Sequence, residues 1–480
     1  MPRRLLSCLA LAVACLVLAP SLPAEERPRV IIETDAGGDP DDEQSMVRFL
    51  LYANEWDVEG IIPNRAQARD GENRNPERTG LGVVQRLLTA YGQCHTNLVQ
   101  HDRRFPTRDF LWQRTVSGYE EGNDGVRLII AAVDGSDPRP VWFCNWGTDH
   151  GSAPSSLKLA LDRVLRERGP GGYARFKRRL RLSSDDQFGE HTTKIEPPFP
   201  LWIDTFRPPL DGKRWYHRFS ALTATAGGFD LRRDVLTGHG PLGALYPTNT
   251  THWQKEGDTM CFLYLVPNGL GDPSEPGWGS WAGRYGLNPN FPGKPYYWAN
   301  QLDAWQGATN RDNTLLRWAA HLQNDFKARL DWCVQDFAHA NHPPVPRLRV
   351  HVAADVRRLD LKEDESVKKD ETNVEPTHVG CYKCTVRAGD KVFLDASASS
   401  DPDGQRLQFE WIPYPEAGTY RGGAVPIHGL TSARASLVAP SVTAPETVHV
   451  LLAVTDDGGP PLTRYQRLVL TVHPSDGKKP

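Results

Sequence analysis

The first half of the chain alternates short apolar runs with longer stretches in which apolar residues recur at helical spacing. The short runs predict buried β-strands, and the periodic stretches predict amphipathic helices. This alternation is typical of βαβ units around a parallel sheet. The predicted strands are residues 29–32, 58–62, 141–144 and 260–266, and the predicted helices are residues 43–54, 77–91 and 155–168.

The next segment, residues 267–310, is rich in Gly, Pro and aromatic residues. It is too irregular for continuous secondary structure, and we interpret it as a long functional loop or a covering layer. Its Trp and Tyr side chains suit stacking on sugar rings, and packing in a core explains them equally well. An amphipathic helix is predicted over residues 314–339, and a Pro-rich linker follows at residues 341–346.

The last part of the chain changes to short β-type segments separated by turn signals such as Asp-Pro-Asp-Gly at residues 401–404. The expected fold class is therefore an α/β domain with a mainly parallel sheet and flanking helices, followed by a small all-β immunoglobulin-like sandwich. The predicted organisation is a signal peptide at 1–24, the α/β domain at 25–342 and the β-sandwich at 343–480.

The amino-terminal residues have the pattern of a secretory signal peptide. Arg3 and Arg4 precede an apolar run at 5–19 and a small-residue cleavage zone at 21–24. The run is too short to predict a stable membrane span, so we expect export to the periplasm or the extracellular space. Acylation at Cys15, as in a lipoprotein, is the weaker alternative. With 56 Lys and Arg against 59 Asp and Glu, the chain lacks the basic excess that favours a nucleic acid polymer.

Six of the eight cysteines follow the predicted signal peptide, and export permits disulfides. Cys381 and Cys384 have the CxxC spacing of redox and zinc sites. The sequence has no second CxxC and no nearby His pair at metal-binding spacing, so a local disulfide or two free thiols is the preferred interpretation. A redox protein is disfavoured because the pair lies outside a thioredoxin-like βαβ pattern.

A cluster of acidic residues follows the first predicted strand, on a Gly- and Pro-containing loop that leads into the first helix. In α/β folds, ligands bind at this end of the strands. Carboxylates packed this closely repel one another unless a cation neutralises them, and an all-oxygen set indicates Ca²⁺ or Mg²⁺ rather than zinc. The alternative is a solvated loop whose Asp residues cap the helix. The acidic residues are Glu33, Asp35, Asp39, Asp41 and Asp42.

This loop resembles the metal loop of nucleoside hydrolases, in which a strand is followed by Asp-x-Asp-Pro-Gly-x-Asp-Asp. The loop here is two residues longer, so either Asp35 or Asp39 takes the first ligand position. Residues 37–52, 240–247, 256–259 and 262–270 are similar to a nucleoside-hydrolase-like domain of exported bacterial proteins that are described as cellulose-binding. Residues 393–404 and 409–411 resemble polycystic-kidney-disease-like and other immunoglobulin-like modules.

The resemblance implies a Ca²⁺ site and a set of residues that contact a sugar. The ion would bind vicinal hydroxyls of the sugar and a water, and Asp35 would take the proton of that water. For Asp258, a role as a helix cap or turn residue is an equal alternative. The implied metal ligands are Asp35, Asp39, Asp41, Asp42, the Thr148 carbonyl and Asp258, and the implied substrate contacts are Asn145, Asp149 and Asp186.

The sequence also departs from that family in one respect. Nucleoside hydrolases often place a His before the distant Asp to protonate the leaving base, whereas Gly257 stands there in this chain. His239, His252 and Glu256 lie nearby, and we interpret all three as polar surface residues.

Two functions follow from these observations. The first is a Ca²⁺-dependent hydrolase of N-glycosidic or related glycosidic bonds. The alternative is a non-catalytic protein that binds a polysaccharide (cellulose) on a degenerate hydrolase scaffold. Either function predicts a sugar-containing small molecule or a polysaccharide as the partner, and leaves the oligomeric state open.

Overall fold

A computed structural model of the chain describes residues 27–38, 40–68, 77–119, 123–147, 155–184, 200–205, 218–248, 254–288, 293, 296–353 and 374–475. The predicted signal peptide lies outside these ranges. Among the helices within them, none has the length and apolar character needed to cross a bilayer.

The first domain is built on a seven-stranded sheet in the order β2-β1-β3-β4-β5-β7-β6. All neighbouring strands are parallel except β6, which runs antiparallel to β7. The strands β8 and β9 form a separate hairpin. The strands of this domain are β1 (Arg29–Thr34), β2 (Asp57–Pro63), β3 (Val141–Asn145), β4 (Leu180–Ser184), β5 (Trp202–Asp204), β6 (Tyr285–Leu287), β7 (Tyr297–Asn300), β8 (Asp303–Trp305) and β9 (Ala308–Asn310).

Both faces of the sheet are covered. Along β1, Val30 and Ile32 pack into one hydrophobic cluster, while Ile31 points into the other. A strand buried on both faces is apolar at every position, and this is why β1 and β3 read as continuous hydrophobic runs in the sequence.

Helices connect the strands and supply the covering layers. The α-helices are α1 (Asp41–Leu51), α2 (Gly80–His101), α3 (Arg108–Gln113), α4 (Asp124–Asp134), α5 (Ser156–Arg178), α6 (Arg218–Thr223), α7 (Gly240–Ala244), α8 (Thr259–Leu263), α9 (Asn313–Leu316) and α10 (Ala319–Asp331). Short 3₁₀-helices occupy Ala53–Glu55, Ala226–Gly228, Pro276–Trp278 and Pro415–Ala417, and a π-helical turn occupies Arg232–Leu236.

Two predicted elements were wrong. Residues 260–266 were predicted to form a strand, but they form the helix α8 and the turn after it. This segment is buried on all sides, and a short apolar run does not distinguish a buried helix from a buried strand. The helix predicted over residues 314–339 is two helices, because the chain is interrupted between α9 and α10 and turns away after Asp331.

The carboxy-terminal domain consists of a four-stranded sheet, β10-β13-β16-β15, and a five-stranded sheet, β11-β12-β18-β17-β14. Apolar side chains of both sheets form one core between them. The strands are β10 (Arg349–Ala353), β11 (Val374–His378), β12 (Cys381–Arg387), β13 (Lys391–Asp395), β14 (Gln408–Pro413), β15 (Ile427–His428), β16 (Arg434–Val438), β17 (Glu446–Thr455) and β18 (Thr463–His473).

The β-sandwich packs tightly against the α/β domain. Arg467 of β18 is fully buried and donates hydrogen bonds to the backbone carbonyls of Leu270 and Trp278, each at 2.7 Å. Trp278 and Trp281 are also buried, so part of the aromatic segment forms a covering layer between the domains. For these two side chains, core packing accounts for the aromatic residue.

The predicted linker is likewise held in place. Asn341 donates a hydrogen bond to Asp456 at 3.1 Å, and the His342 N–H donates to Asp403 at 2.7 Å. Both linker residues are buried. The two domains are therefore joined through hydrogen-bonded and packed contacts rather than through an exposed tether.

All six cysteines after the predicted signal peptide are buried, and none of them forms a disulfide. Cys381 and Cys384 lie on β12 as two thiols, with Cys384 in the core of the β-sandwich and Cys381 packed with Trp278.

Candidate metal and sugar site

The acidic loop connects the end of β1 to the start of α1. Gly38 donates a backbone hydrogen bond to the Asp35 carbonyl at 3.2 Å, which closes a tight turn. A Cβ atom at Gly38 would lie 2.6 Å from Nη2 of Arg65, so a larger residue here would displace the guanidinium that bonds to Asp35. The turn brings Asp41 and Asp42 into the first turn of α1, where the helix dipole favours negative charge.

Asp41 and Asp42 are buried, at 1% and 3% exposure, so the alternative of a solvated acidic loop is wrong. Asp42 accepts a hydrogen bond from the Thr34 hydroxyl rather than capping the helix, and the residue at the cap is Pro40. The two carboxylates therefore point into the protein, toward the carboxyl end of the sheet.

Asp258 completes a group of three carboxylates. One oxygen from each of Asp41, Asp42 and Asp258 lies within 4.8 Å of the other two, and Asp258 is 2% exposed. Burial and the nearby charges of Asp258, Asp35 and Asp41 raise the pKa of Asp42 well above its ordinary value. This arrangement is unfavourable for three ionised groups alone and favourable for a hard cation, so the residues present fit a divalent metal ion.

Asp35 is not one of the three clustered carboxylates and instead pairs with Arg65. Its carboxylate accepts a hydrogen bond from Arg65 Nη2 at 2.8 Å, and its carbonyl accepts one from Arg65 Nε at 3.0 Å. Arg65 is nearly buried at 5% side-chain exposure, so it orients Asp35 at the edge of the three-carboxylate cluster. The charge of Asp35 still acts on Asp42.

Two further loops lie at the same edge of the sheet, after the strands that flank β1. Asn145, at the end of β3, is fully buried, and its carbonyl lies 3.7 Å from the Cys261 thiol in α8. Asn64, just after β2, donates a hydrogen bond to the Gly147 carbonyl at 2.9 Å, a contact that the sequence did not predict. The predicted site residues Asp39, Thr148, Asp149 and Asp186 lie outside the described residues.

Glu33 is buried at the end of β1 but does not join the carboxylate cluster. Its Oε1 accepts a hydrogen bond from the backbone N–H of Ser156, at the start of α5, at 2.7 Å. Burial raises the pKa of Glu33 to about 7.

The prediction that Glu256 is a surface residue was wrong. Its side chain is fully buried and forms an ion pair with Arg48 of α1, with 3.1 Å between Nη2 and Oε1. Arg48 was missed because its partner is remote in the sequence, although a charged residue between apolar neighbours in the second half of α1 was a usable signal. His239 is only partly exposed and lies 3.3 Å from Asp331, and His252 is outside the described part of the chain.

The fold and the site together define a nucleoside-hydrolase-like α/β domain with a carboxyl-terminal β-sandwich. Residues 29–285 match the family model described as "Cellulose-binding Sde182, nucleoside hydrolase-like domain", and residues 391–472 match "Cellulose-binding protein Sde0182, C-terminal domain". The first match spans more than half of the chain. The protein therefore belongs to the Sde182 nucleoside-hydrolase-like family, and the resemblance to this family inferred from the sequence is confirmed.

A solved structure supports the same relationship. It is a nucleoside hydrolase-related protein from Saccharophagus degradans, described as associated with carbohydrate metabolism, with 31% sequence identity and a TM-score of 0.68. The alignment covers 93% of this chain and 100% of that chain.

Two other comparisons add little. The PKD domain of the KIAA 1837 protein aligns with 24% of this chain and 99% of its own length, at 18% identity and a TM-score of 0.16, which supports no argument. A comparison with curated proteins found no match.

Proposed function

We propose that the protein is a Ca²⁺-dependent hydrolase of N-glycosidic or related glycosidic bonds. The observation that carries the proposal is the buried cluster of Asp41, Asp42 and Asp258 at the carboxyl end of the sheet. Three carboxylates without His or Cys form a donor set that suits Ca²⁺. The relationship of the family to nucleoside hydrolases supports the same class of reaction.

Different residues of the site would carry out different steps of the hydrolysis. When bound, Ca²⁺ would supply a positive charge that orients vicinal sugar hydroxyls and makes a nearby water more acidic. Asp35 would accept the proton of the attacking water, with its carboxylate oriented by Arg65. The carboxylates would stabilise the positive charge that develops at the anomeric carbon.

The remaining predicted residues would complete the site. We assign Asp39 and the Thr148 carbonyl as further metal ligands, and Asn145, Asp149 and Asp186 as contacts to the sugar. Of these residues, Asn145 lies within the described part of the chain, at the strand end that faces α8.

The proposal is tested with Asp41→Asn and the matched control Asp109→Asn, whose side chain is 75% exposed. Calcium binding is measured by titration calorimetry, and hydrolysis is measured on a panel of nucleosides and oligosaccharides with and without a chelator. We expect wild type and Asp109→Asn to bind Ca²⁺ and to turn over at least one substrate, and Asp41→Asn to lose both. Turnover that is unaffected by the chelator would contradict the proposal.

The second candidate function is binding of cellulose without turnover. Two observations favour it. Arg65 donates a hydrogen bond to Oδ2 of Asp35, so one oxygen of the proposed base is already engaged, and Gly257 stands where a proton-donating His would be expected. The same proteins are therefore mixed with insoluble cellulose and sedimented. Retention on cellulose together with Ca²⁺ binding and no turnover across the panel would establish the binding function and exclude the hydrolase.

We also propose that the protein is exported through the signal peptide at residues 1–24. The proposal rests on the charged, apolar and small-residue regions of that segment. Expression of the full chain in a bacterium, followed by cell fractionation and amino-terminal sequencing, is the test. A cytoplasmic protein with an intact amino terminus would contradict it.

A further inference from the structure

The helix α1 contributes to the carboxylate cluster in two ways. Its first turn carries Asp41 and Asp42, and its next residues face the loop that carries the third carboxylate. Gln44 accepts hydrogen bonds from the backbone N–H groups of Lys255 and Glu256, at 2.6 and 3.1 Å, through its single Oε1. The same side chain donates to the Pro247 carbonyl at 2.7 Å. One buried amide therefore holds the loop at two successive residues.

Arg48 holds the same loop one helical turn further on. Its guanidinium pairs with Glu256 and donates to Gln323 Oε1 at 2.9 Å. It also lies 3.6 Å from the centroid of the Phe326 ring. All of these contacts are buried, so solvent does not weaken the attraction between Arg48 and Glu256.

Glu256 is saturated with donors. A carboxylate has about four lone-pair positions, and here its two oxygens accept five hydrogen bonds. Because every partner is a donor, both oxygens are engaged in fixing the position of the loop. The donors are Arg48 Nε, Arg48 Nη2, Tyr246 Oη, Gln254 Nε2 and Thr259 Oγ1.

The backbone at Glu256 is strained. Its φ angle is +46°, in the left-handed region that residues other than glycine rarely adopt. Such a conformation persists only where the surrounding contacts enforce it. Two residues later the chain reaches Asp258 at the start of α8, where the Thr259 hydroxyl lies 3.1 Å from the Ser45 hydroxyl of α1.

We propose that Gln44, Arg48 and Glu256 are positioning residues that set the affinity of the carboxylate cluster for a divalent cation. They hold the 254–258 loop against α1, so that Asp258 reaches Asp41 and Asp42 before a metal ion arrives. Preorganised ligands do not have to be ordered during binding, and the affinity is correspondingly higher. This inference rests on the proposed metal site.

The test compares Gln44→Met with Gln466→Met in the full chain. Each variant removes a buried Gln that bonds to a backbone carbonyl, but Gln466 lies in the β-sandwich and bonds to Pro346. The Ca²⁺ dissociation constant is measured by titration calorimetry, and the melting temperature is measured without metal. Arg48→Lys, which keeps the charge but loses the two-pronged contact, is the second variant in case Gln44→Met does not fold.

We expect Gln44→Met, or Arg48→Lys, to weaken Ca²⁺ binding at least tenfold, which is about 1.4 kcal/mol. We expect Gln466→Met to have a Ca²⁺ dissociation constant within twofold of the wild-type value. This should hold even if its melting temperature falls as much as that of Gln44→Met. If wild type binds Ca²⁺ and the folded α1 variants bind it equally well, the positioning role is overturned while the metal site stands. If wild type binds no divalent cation, the proposed metal site is overturned and the positioning role falls with it.

Discussion

Arg464 of the β-sandwich donates a hydrogen bond to Asp325 of α10 across 2.6 Å, so an ion pair joins the two domains. Asp325 is almost fully buried, at 3% side-chain exposure, and also pairs with Arg329 of its own helix. Removing one partner of a buried ion pair costs more stability than removing a partner of an exposed pair, because the remaining charge is left buried without compensation. Single substitutions at this ion pair therefore test how much the contact between the domains contributes to stability.

Arg464→Met should destabilise the protein by about 1 to 3 kcal/mol, because it leaves Asp325 with one cation instead of two. The measurement is the free energy of unfolding in urea at pH 7. The matched control is Arg406→Met in the same domain, where the pair with Asp457 involves an Arg side chain that is 79% exposed. The control should change stability by less than about 0.5 kcal/mol. Equal effects of the two substitutions would argue against a special role for Arg464.

The lowered pKa of Asp325 leads us to expect a loss of stability in acid. Its pKa is lowered to about 2, despite burial, by the charges of Arg464 and Arg329. The unfolded chain, with an ordinary value of 3.8, takes up this proton first as the pH falls. The contribution is therefore complete above about pH 4 and is lost toward pH 2, and it amounts to on the order of 2 kcal/mol.

Asp325→Asn removes this titration and serves as the comparison. Unfolding curves of wild type and Asp325→Asn are recorded from pH 5 to pH 2. The stability difference between them should shrink as the pH falls through this range. A difference that stays constant would show that Asp325 does not titrate in the folded protein.

His321 predicts a second pH dependence at the same interface. It hydrogen-bonds to the Tyr465 hydroxyl, and burial lowers its pKa to about 4 from an ordinary 6.5. The unfolded state therefore binds the proton first, and the contribution of neutral His321 is lost as the pH falls from 6.5 toward 4. Between pH 7 and pH 5 the loss should reach on the order of 2 kcal/mol. His321→Gln should reduce this pH dependence, and an unchanged profile would contradict the assignment.

The cysteines predict resistance to thiol reagents. All six are buried and none forms a disulfide, so a reagent has little access to them. Burial raises the pKa of Cys381 to about 12 and also raises those of Cys144 and Cys384, which limits the reactive thiolate at these positions, whereas a hydrogen bond with Cys333 lowers the pKa of Cys94. A chromogenic disulfide reagent should label the processed native protein slowly and should titrate six thiols in guanidinium without prior reduction. Fewer than six thiols under denaturing conditions would reveal a disulfide.

Much of the fold was predictable from local patterns. The strands β1 and β3 were found because both faces of the sheet are buried, which leaves continuous apolar runs. The helix α8 was not found, because five buried residues in a row look the same in a helix and in a strand. The interruption between α9 and α10 was missed as well, since amphipathic spacing continues across it.

For the site, the sequence by itself determined the chemistry of the first loop. Closely spaced Asp residues after a buried strand lie at the carboxyl end of the sheet, and carboxylates without His or Cys form a donor set that suits a hard cation. Local order was sufficient for this conclusion, because Asp41 and Asp42 are neighbours on one helical turn.

Only the tertiary structure decided which partners complete that site. Asp258 lies more than 200 residues from Asp42, and Glu256 is buried because Arg48 meets it from α1. Asp35 is oriented by Arg65 from another loop. The spacing of residues along a chain shows which faces of an element are buried, whereas the pairing of remote charges depends on how separate loops converge after the core has packed.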